Sequence, residues 1–257
     1  MCELFGVSSL NPVTVNRQLR EFARHSLQNP HGWGIAICGE HSVSVEKESV
    51  AALKSSCLQE RLTSEFSVRN MIAHIRLATR GTMEWENCHP FVMEDNEKRV
   101  WTLAHNGTIF DCPILSQYVR VQAGQTDSAR ILCHIVASMN ERQSQVGRGL
   151  TAEERFALMD ELICEMAPHN KLNLLVYDGE QLYIHENYAD SLYVRQTDDT
   201  AMFATTPLDD EIWKPVAFTT LLAYRDGKQI FVGTNHGFEY KDNPEDMRLI
   251  FLDYAAL

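Results

Sequence analysis

The amino-acid sequence predicts an α+β protein with antiparallel sheets, and three observations lead to this class. Short runs of apolar and β-branched residues recur along most of the 257 residues, which is typical of strands. Two Asp-Gly pairs, at positions 178–179 and 226–227, separate consecutive runs and indicate the tight turns of β-hairpins. Helical periodicity occupies separate blocks and does not alternate with the strands, so parallel βαβ units are not expected.

Eleven segments are predicted to be strands because they combine apolar and β-branched residues in short runs. In the first half of the chain these are Leu4–Ser9, Gly34–Cys38, Ser42–Glu48, Asn70–Arg76 and Val100–His105. In the second half they are Leu172–Tyr177, Gln181–His185, Ser191–Val194, Ala201–Thr205, Thr219–Tyr224 and Gln229–Val232. The two Asp-Gly turns join the sixth strand to the seventh and the tenth to the eleventh.

Three segments have apolar residues at helical spacing and are predicted to be helices. They are Thr14–His25, Asp127–Met139 and Thr151–Met166. In the second segment Ile131 and Ile135 lie one turn apart, and in the third Thr151 and Glu154 have the spacing of a capping box. The segments with most turn character are Gln28–Gly34, Arg80–Pro90 and Gln143–Gly149. No shift in composition marks a boundary, so residues 1–257 are expected to form a single domain.

Composition and charge argue against two classes of partner. Lys and Arg number 23 against 35 Asp and Glu, which gives a formal net charge of −12. An acidic surface repels phosphate backbones and anionic lipids, so neither nucleic acid nor a membrane surface is expected as a partner. No apolar run approaches the ~18 residues that a membrane span requires.

The cysteines and the N-terminus indicate a cytoplasmic protein. The seven cysteines include no C-x-x-C pair, which favours reduced thiols over a disulfide framework or a structural zinc site. The N-terminus lacks the basic region and apolar stretch of a secretory signal. No metal site is expected, because the spacing of Cys164 and His169 is not joined by a second matched pair. No cofactor is expected either, and phosphate-loop and dinucleotide-binding fingerprints are absent from the sequence.

Cys2 is the first candidate for chemistry. Removal of Met1 would leave Cys2 with a free α-amine, and a thiol beside an amine is a nucleophile that carries its own general base. With Met1 attached, the nitrogen of Cys2 is an amide and is unable to act as a base. The alternative interpretation is a small apolar residue at the start of a strand.

Three further segments contain residue types that suit recognition of an amino acid. Arg76 lies where a predicted strand ends, and its guanidinium suits a carboxylate, although a surface ion pair is the alternative. Asn106 and Gly107 have the donors of an oxyanion hole, although Asn-Gly is also a strong hairpin-turn signal. Asp127 opens a predicted helix, where its carboxylate either binds an ammonium group or caps the helix.

Taken together, these segments resemble the class II glutamine amidotransferases, which are N-terminal-nucleophile hydrolases. The resemblance covers about residues 2–235 and rests on four motifs in order. They are Cys2 through Gly6, then His74-x-Arg76-x-Ala78-Thr79-x-Gly81, then His105-Asn106-Gly107, and then Thr126-Asp127. The run from Asn29 to Gly34 is most similar to the stand-alone YafJ-type members. The resemblance implies a four-layer αββα sandwich of two antiparallel sheets.

The resemblance also implies a role for each matched residue. Cys2 would attack the side-chain amide of L-glutamine, and Asn106 and Gly107 would hold the oxyanion. Arg76 would bind the α-carboxylate with Thr79 as a further substrate-binding residue. Asp127 and the carbonyl of Gly107 would bind the α-ammonium group. Glutamate would leave through a γ-glutamyl thioester, and the ammonia would serve an unknown acceptor.

One departure from the family pattern leaves the acceptor open. Position 77 is Leu, where members fused to a synthetase commonly have Trp. A separate synthase subunit is therefore one expectation for the partner, and a γ-glutamyl amide or peptide hydrolase is an alternative function. A catalytically silent binding or regulatory subunit is the remaining alternative, and the full set of matched residues argues against it.

Overall fold

Two antiparallel sheets form the centre of the molecule in the computed structural model, which describes residues 2–78 and 81–244. The strands are β1 (Glu3–Thr14), β2 (Trp33–Cys38), β3 (Val43–Glu48), β4 (Ser67–Ile75), β5 (Phe91–Glu94), β6 (Val100–Thr108), β7 (Lys171–Tyr177), β8 (Leu182–His185), β9 (Tyr193–Gln196), β10 (Thr200–Ala204), β11 (Lys214–Pro215), β12 (Thr220–Arg225) and β13 (Lys228–Asn235). The helices are α1 (Asn16–Arg24), α2 (Ser56–Arg61), α3 (Asp127–Val146) and α4 (Ala152–Met166).

The first sheet has the strand order β11-β9-β10-β1-β4-β2-β3, and the second has the order β13-β12-β8-β7-β6-β5. The N-terminal strand β1 lies inside the first sheet, where Phe5 pairs with Ala204 of β10 and with Ala73 of β4. In the second sheet, Asn106 of β6 lies opposite Asn173 of β7. The N-terminus is therefore held on both sides by backbone pairing.

Three buried clusters separate four layers. One cluster packs α1 and α2 on the first sheet, and another packs α3 and α4 on the second sheet. The third lies between the two sheets and contains Leu4, Ile72, Leu175 and Phe203. Side chains alternate between the faces of a strand, so Leu4 faces the second sheet while Phe5 faces the helices. This arrangement is an αββα sandwich, as the resemblance implied.

All eleven predicted strands and all three predicted helices are confirmed, and the differences are at short elements and boundaries. The strands β5 and β11 and the helix α2 have four, two and six residues, too few to show a periodic pattern. Thr14 belongs to β1 and pairs with Ser67, so the first helix begins later than predicted. The helix α3 continues to Val146 and ends at Gly147, whose φ of 70° is a left-handed cap.

Among residues 2–78 and 81–244, no helix is long and apolar enough to cross a membrane.

The contact between Gly6 and Leu175 gives a test of how closely the sheets approach. A Cβ at Gly6 would lie 2.9 Å from Cδ1 of Leu175. We expect Gly6→Ala to lower the free energy of unfolding by about 1–3 kcal/mol through overpacking. Leu175→Ala is expected to cost about 2–5 kcal/mol through the cavity it leaves. Chemical denaturation followed by circular dichroism measures both values.

A variant with both Gly6→Ala and Leu175→Ala shows whether the two substitutions act at the same contact. The added methyl group at Gly6 would occupy space that Leu175→Ala vacates, so the combined cost should be smaller than the sum of the single costs. Strict additivity of the two costs would contradict a direct contact between β1 and β7 at this position.

Candidate active site

The structure brings the predicted site residues together at one end of the sandwich. A small cavity there is lined by Cys2, Arg76, Gly107 and Asp127 together with neighbouring residues. Its volume of about 20 Å³ is room for about one water molecule. Asn106 is buried on β6 beside Gly107. Thr79, the remaining predicted substrate-binding residue, lies outside the described residues.

Cys2 lies directly before β1 and is held against the segment that follows β4. Its Sγ accepts a hydrogen bond from the N–H of Leu77 at 3.3 Å and lies 3.3 Å from the Leu77 carbonyl oxygen. Burial raises the pKa of the Cys2 thiol above its ordinary value, while the Leu77 N–H and the positive charge of Arg76 lower it. The thiol is therefore protonated at neutral pH and requires a base before it attacks.

Arg76 is buried, with 3% of its surface exposed, so the alternative of a surface ion pair is wrong. Its guanidinium donates hydrogen bonds to the carbonyls of Thr82 at 2.9 Å and Gly81 at 3.3 Å. Its backbone pairs with Gly32 and His31. Burial lowers the pKa of Arg76, and the nearby Cys2 and Asp127 partly restore it. The positive charge of Arg76 therefore acts on both the Cys2 thiol and the Asp127 carboxylate.

Asn106 and Gly107 lie inside β6, so the alternative of an Asn-Gly hairpin turn is wrong. Along an antiparallel strand, successive N–H groups point to opposite edges. The N–H of His105 donates to Nδ1 of His89 at 3.3 Å, and that of Ile109 donates to Asp127 at 2.7 Å. The N–H of Gly107, between them, therefore points to the same edge, which faces away from β7 and toward Asp127.

The side chain of Asn106 supplies a second hydrogen-bond donor next to the Gly107 N–H. Asn106 has 2% of its surface exposed, and within the described ranges its Nδ2 has no hydrogen-bond partner. A buried amide N–H without a partner costs about 1–3 kcal/mol, so such groups are rare unless a ligand completes them. This orphaned donor and the Gly107 N–H together suit an oxygen that carries negative charge.

Asp127 connects the first turn of α3 to the end of β6. The cap of α3 is Thr126, whose hydroxyl accepts a hydrogen bond from the N–H of Ala129 at 3.2 Å. Asp127 instead accepts hydrogen bonds from the N–H of Ile109 at 2.7 Å and from that of Ser128 at 3.0 Å. The carboxylate is thus fixed by the backbone in a buried position beside the cavity.

Three buried histidines support the site, and the sequence motifs did not assign them a role there. The rings of His74 and His89 are tilted by 36° with centroids 4.1 Å apart, and His105 lies between Ser128 and the Lys171 carbonyl, each 3.0 Å away. Burial lowers the pKa of all three, that of His74 to about 3. They are neutral at pH 7. The available signal was that His74 and His105 each begin one of the matched motifs.

Lys171 is a further charged residue beside the candidate site that sequence reasoning missed, and its backbone carbonyl lies against Gly107. It begins β7 opposite Thr108, is 6% exposed, and places its Nζ 3.4 Å from the centre of the Tyr188 ring. Burial lowers its pKa to about 8, while the charges of Asp242 and Cys2 act to raise it. No motif in the sequence surrounds Lys171, and only its position at a strand end distinguishes it.

The residues that the structure describes contain no group of three or more His, Cys, Asp or Glu side chains placed to hold a metal ion.

Comparison with known proteins places the chain among glutamine amidotransferases. A family model of class II glutamine amidotransferases matches residues 1–197. An uncharacterized protein of Methanocaldococcus jannaschii is 27% identical over 90% of this chain and 71% of its own length. A protein of Haemophilus influenzae, provisionally named a glutamine amidotransferase, is 29% identical over 72% of this chain and 63% of its own length.

Solved structures share the fold at lower sequence identity. The glutamine phosphoribosylpyrophosphate amidotransferase of Bacillus subtilis superposes with a TM-score of 0.68 and 18% identity, over 89% of this chain and 48% of its own. A crystal structure from Pseudomonas aeruginosa, described as a "predicted glutamine amidotransferase", has a TM-score of 0.60 and 19% identity. It covers 90% of this chain and all of its own. At these sequence identities, the similarity shows a shared fold only.

Gly107 is expected to tolerate no side chain. A Cβ there would lie 2.0 Å from the backbone carbonyl oxygen of Lys171, which is unable to move without separating β6 from β7. We expect Gly107→Ala to lower the free energy of unfolding by about 1–3 kcal/mol or more. Gly149→Ala is the matched control, because a Cβ there would meet only the Glu97 side chain at 3.5 Å. Equal effects of the two substitutions in chemical denaturation would contradict the close approach.

Proposed function

The chain belongs to the class II glutamine amidotransferase family, and we propose that it cleaves the side-chain amide of glutamine with Cys2 as the nucleophile. The observation that carries the proposal is the buried side-chain amide of Asn106, whose Nδ2 has no hydrogen-bond partner among the described residues. Asn106 directly precedes Gly107, which lines the same cavity as Cys2. Donors aimed at a developing oxyanion are often the largest single contribution to amide cleavage.

The α-amino-acid end of glutamine would bind between Arg76 and Asp127. The guanidinium of Arg76 donates to two neutral carbonyls, and a carboxylate is a stronger partner for it than a carbonyl. Asp127 supplies the negative charge that an α-ammonium group requires. Both charges are buried, so they act on a zwitterion with little screening by water.

The reaction follows from the protonation states of the site. After removal of Met1, the free α-amine of Cys2 would accept the thiol proton as Sγ attacks the γ-carbonyl carbon. The negative charge would move to the carbonyl oxygen, held by Nδ2 of Asn106 and the N–H of Gly107. Collapse would expel ammonia, which takes the proton from the amine, and leave a γ-glutamyl thioester. Attack by water on the thioester would then release glutamate and restore the thiol.

The neutral histidines fit this assignment of the base. His74, His89 and His105 have pKa values lowered by burial. Nδ1 of His89 accepts the N–H of His105, and the ring nitrogens of His105 contact Ser128 and the Lys171 carbonyl. A base whose conjugate acid is so disfavoured is poorly suited to take the proton of a thiol. The α-amine remains the suitable base, and the histidines position the strand that carries Asn106.

Labelling with a diazo-oxo analogue of glutamine tests the nucleophile. We expect one adduct on Cys2, formed with loss of dinitrogen, on protein that lacks Met1, since the analogue alkylates a thiol only when it is bound as glutamine is. Intact mass and peptide mapping after incubation with the purified protein measure both features.

Two variants sharpen this test. Cys2→Ala should abolish the adduct, whereas Cys57→Ala should retain it because Cys57 is an exposed thiol with no place in the proposed site. An adduct that survives Cys2→Ala would contradict the proposal. So would protein that keeps Met1 and takes up no analogue, and a binding or regulatory role would then be favoured.

Asn106→Ala tests the oxyanion hole separately from the nucleophile. Loss of one donor of this kind costs about 10²–10³ in kcat, because the contact strengthens only as the oxyanion forms. Coupled detection of glutamate gives kcat and KM, and we expect KM to change much less than kcat. A large rise in KM with unchanged kcat would instead assign Asn106 to substrate binding.

A further inference from the structure

We propose that Asn87 is a positioning residue for the α-amino-acid end of the substrate. Its side chain joins the loop whose carbonyls hold Arg76 to the loop that leads into Asp127, and so it fixes the distance between these two charges. The inference rests on the proposed function, because it takes Arg76 and Asp127 as the residues that bind the α-carboxylate and the α-ammonium group. Asn87 acts through the two loops and not by contact with the substrate.

The two charged residues belong to different halves of the sandwich. Arg76 directly follows β4 of the first sheet, whereas Asp127 begins α3, which packs on the second sheet. A zwitterion binds both charges at once, so its affinity depends on how precisely the two are held relative to each other. A connection between the two halves close to the cavity is therefore required.

Asn87 makes this connection with three hydrogen bonds. Its Nδ2 donates to the carbonyl oxygen of Thr82 at 3.0 Å and to the Thr82 hydroxyl at 3.1 Å. Its Oδ1 accepts the N–H of Gln125 at 2.7 Å. The same Thr82 carbonyl accepts a hydrogen bond from Arg76 at 2.9 Å, and Gln125 lies two residues before Asp127. One side-chain amide thus reaches both charged residues through a single intervening loop on each side.

The two loops also contact each other around this side chain. Oε1 of Gln125 lies 3.4 Å from both the N–H nitrogen and the hydroxyl of Thr82, and both groups donate to it. Gly124 has a φ of 70°, and a Cβ there would lie 2.4 Å from Oδ1 of Asn87 and 2.9 Å from the Glu86 carbonyl oxygen. Glycine suits both the positive φ and the close approach. The loop before α3 is therefore fitted closely to Asn87.

Asn87 itself lies on a buried segment. It has 1% of its surface exposed, and residues 87–90 are all buried, whereas residues 83–86 are exposed. Sγ of Cys88 lies 3.4 Å from a carbonyl oxygen of β3, and Nδ1 of His89 accepts an N–H of β6. The segment therefore contacts both sheets. A buried amide with satisfied partners on such a segment has a defined orientation, as positioning requires.

Asn87→Ala tests the connection through its effect on KM. Without the amide, Arg76 and Asp127 would no longer be held at the spacing that a zwitterion requires. Because contacts to charged groups are weakened, we expect KM for glutamine to rise about 10- to 100-fold and kcat to fall less than about threefold. Loss of folded protein would instead lower kcat at an unchanged KM, so this split distinguishes positioning from a purely structural role. Coupled detection of glutamate measures both constants.

Two analogues of glutamine test the spacing directly. Glutaramate keeps the carboxylate and lacks the α-ammonium group, and 4-aminobutanamide keeps the ammonium group and lacks the carboxylate. Each would contact only one of Arg76 and Asp127, so we expect Asn87→Ala to change both inhibition constants less than about threefold. A rise in either constant as large as the rise in KM for glutamine would show that Asn87 acts on one charged residue alone, which would overturn the inference.

Asn16→Ala is the matched control. Asn16 is also buried, and its Nδ2 donates to the carbonyls of Leu62 at 3.3 Å and Ser64 at 2.8 Å. Its Oδ1 accepts the N–H of Phe66 at 2.7 Å. It follows β1, at the opposite end of that strand from Cys2. We expect Asn16→Ala to lower the temperature of thermal unfolding and to leave KM for glutamine unchanged.

Thr82→Val keeps the inference testable if Asn87→Ala fails to fold. It removes the hydroxyl that Asn87 and Gln125 contact and retains the carbonyl that Arg76 binds. Because neutral hydrogen bonds are lost, we expect KM for glutamine to rise about two- to fivefold. An unchanged KM in folded Asn87→Ala, or in Thr82→Val where Asn87→Ala does not fold, would overturn the inference.

Failure of this inference is distinguishable from failure of the proposed function. If the unmodified protein takes up the diazo-oxo analogue on Cys2 and releases glutamate, while Asn87→Ala has an unchanged KM, only the inference fails. If the unmodified protein neither takes up the analogue nor releases glutamate, the proposed function fails and the inference fails with it.

Discussion

Face-to-face packing of the two sheets is the constraint on which the candidate site depends. Cys2 precedes β1 in the first sheet, whereas Asn106 and Gly107 belong to β6 in the second. The apolar cluster between the sheets, with Leu4 near one end, sets their separation and thus the distance from thiol to donors. Because packed interiors deform little, the close approach of Leu175 to Gly6 helps to fix this separation.

The candidate site also depends on an interruption in the hydrogen-bond ladder between β5 and β6. The strand β5 pairs with β6 only as far as Leu103, so the edge of β6 from His105 onward faces side chains instead of a strand. His89 and Asp127 accept two of the N–H groups along this edge. Gly107 presents the N–H between them to the cavity. An unpaired strand edge is usually a liability, and here it supplies backbone donors next to a thiol.

The sequence predicted the sheets, three helices and the residues that converge on the cavity, because alternation and helical spacing are local signals. The sequence did not decide whether Asn106 and Gly107 form a turn, because Asn-Gly fits both a hairpin and a strand end. Only their pairing with β7 shows that they belong to a strand. Lys171 could not be found in this way. Its ammonium packs on the ring of Tyr188, 17 residues later in the chain, and no local sequence pattern reports such a contact.

Neutral histidines leave the charge of the cavity to Arg76 and Asp127. If His74, His89 and His105 were charged, three more cations would lie near Arg76, and binding of any anion would be favoured without regard to shape. Burial keeps their pKa values low, so at neutral pH the charged groups that line the cavity are Arg76 and Asp127. The protein as a whole carries −12, which opposes the approach of anions over long distances. Binding of a substrate α-carboxylate would therefore depend on short range, where the buried Arg76 guanidinium and one carboxylate interact with little screening.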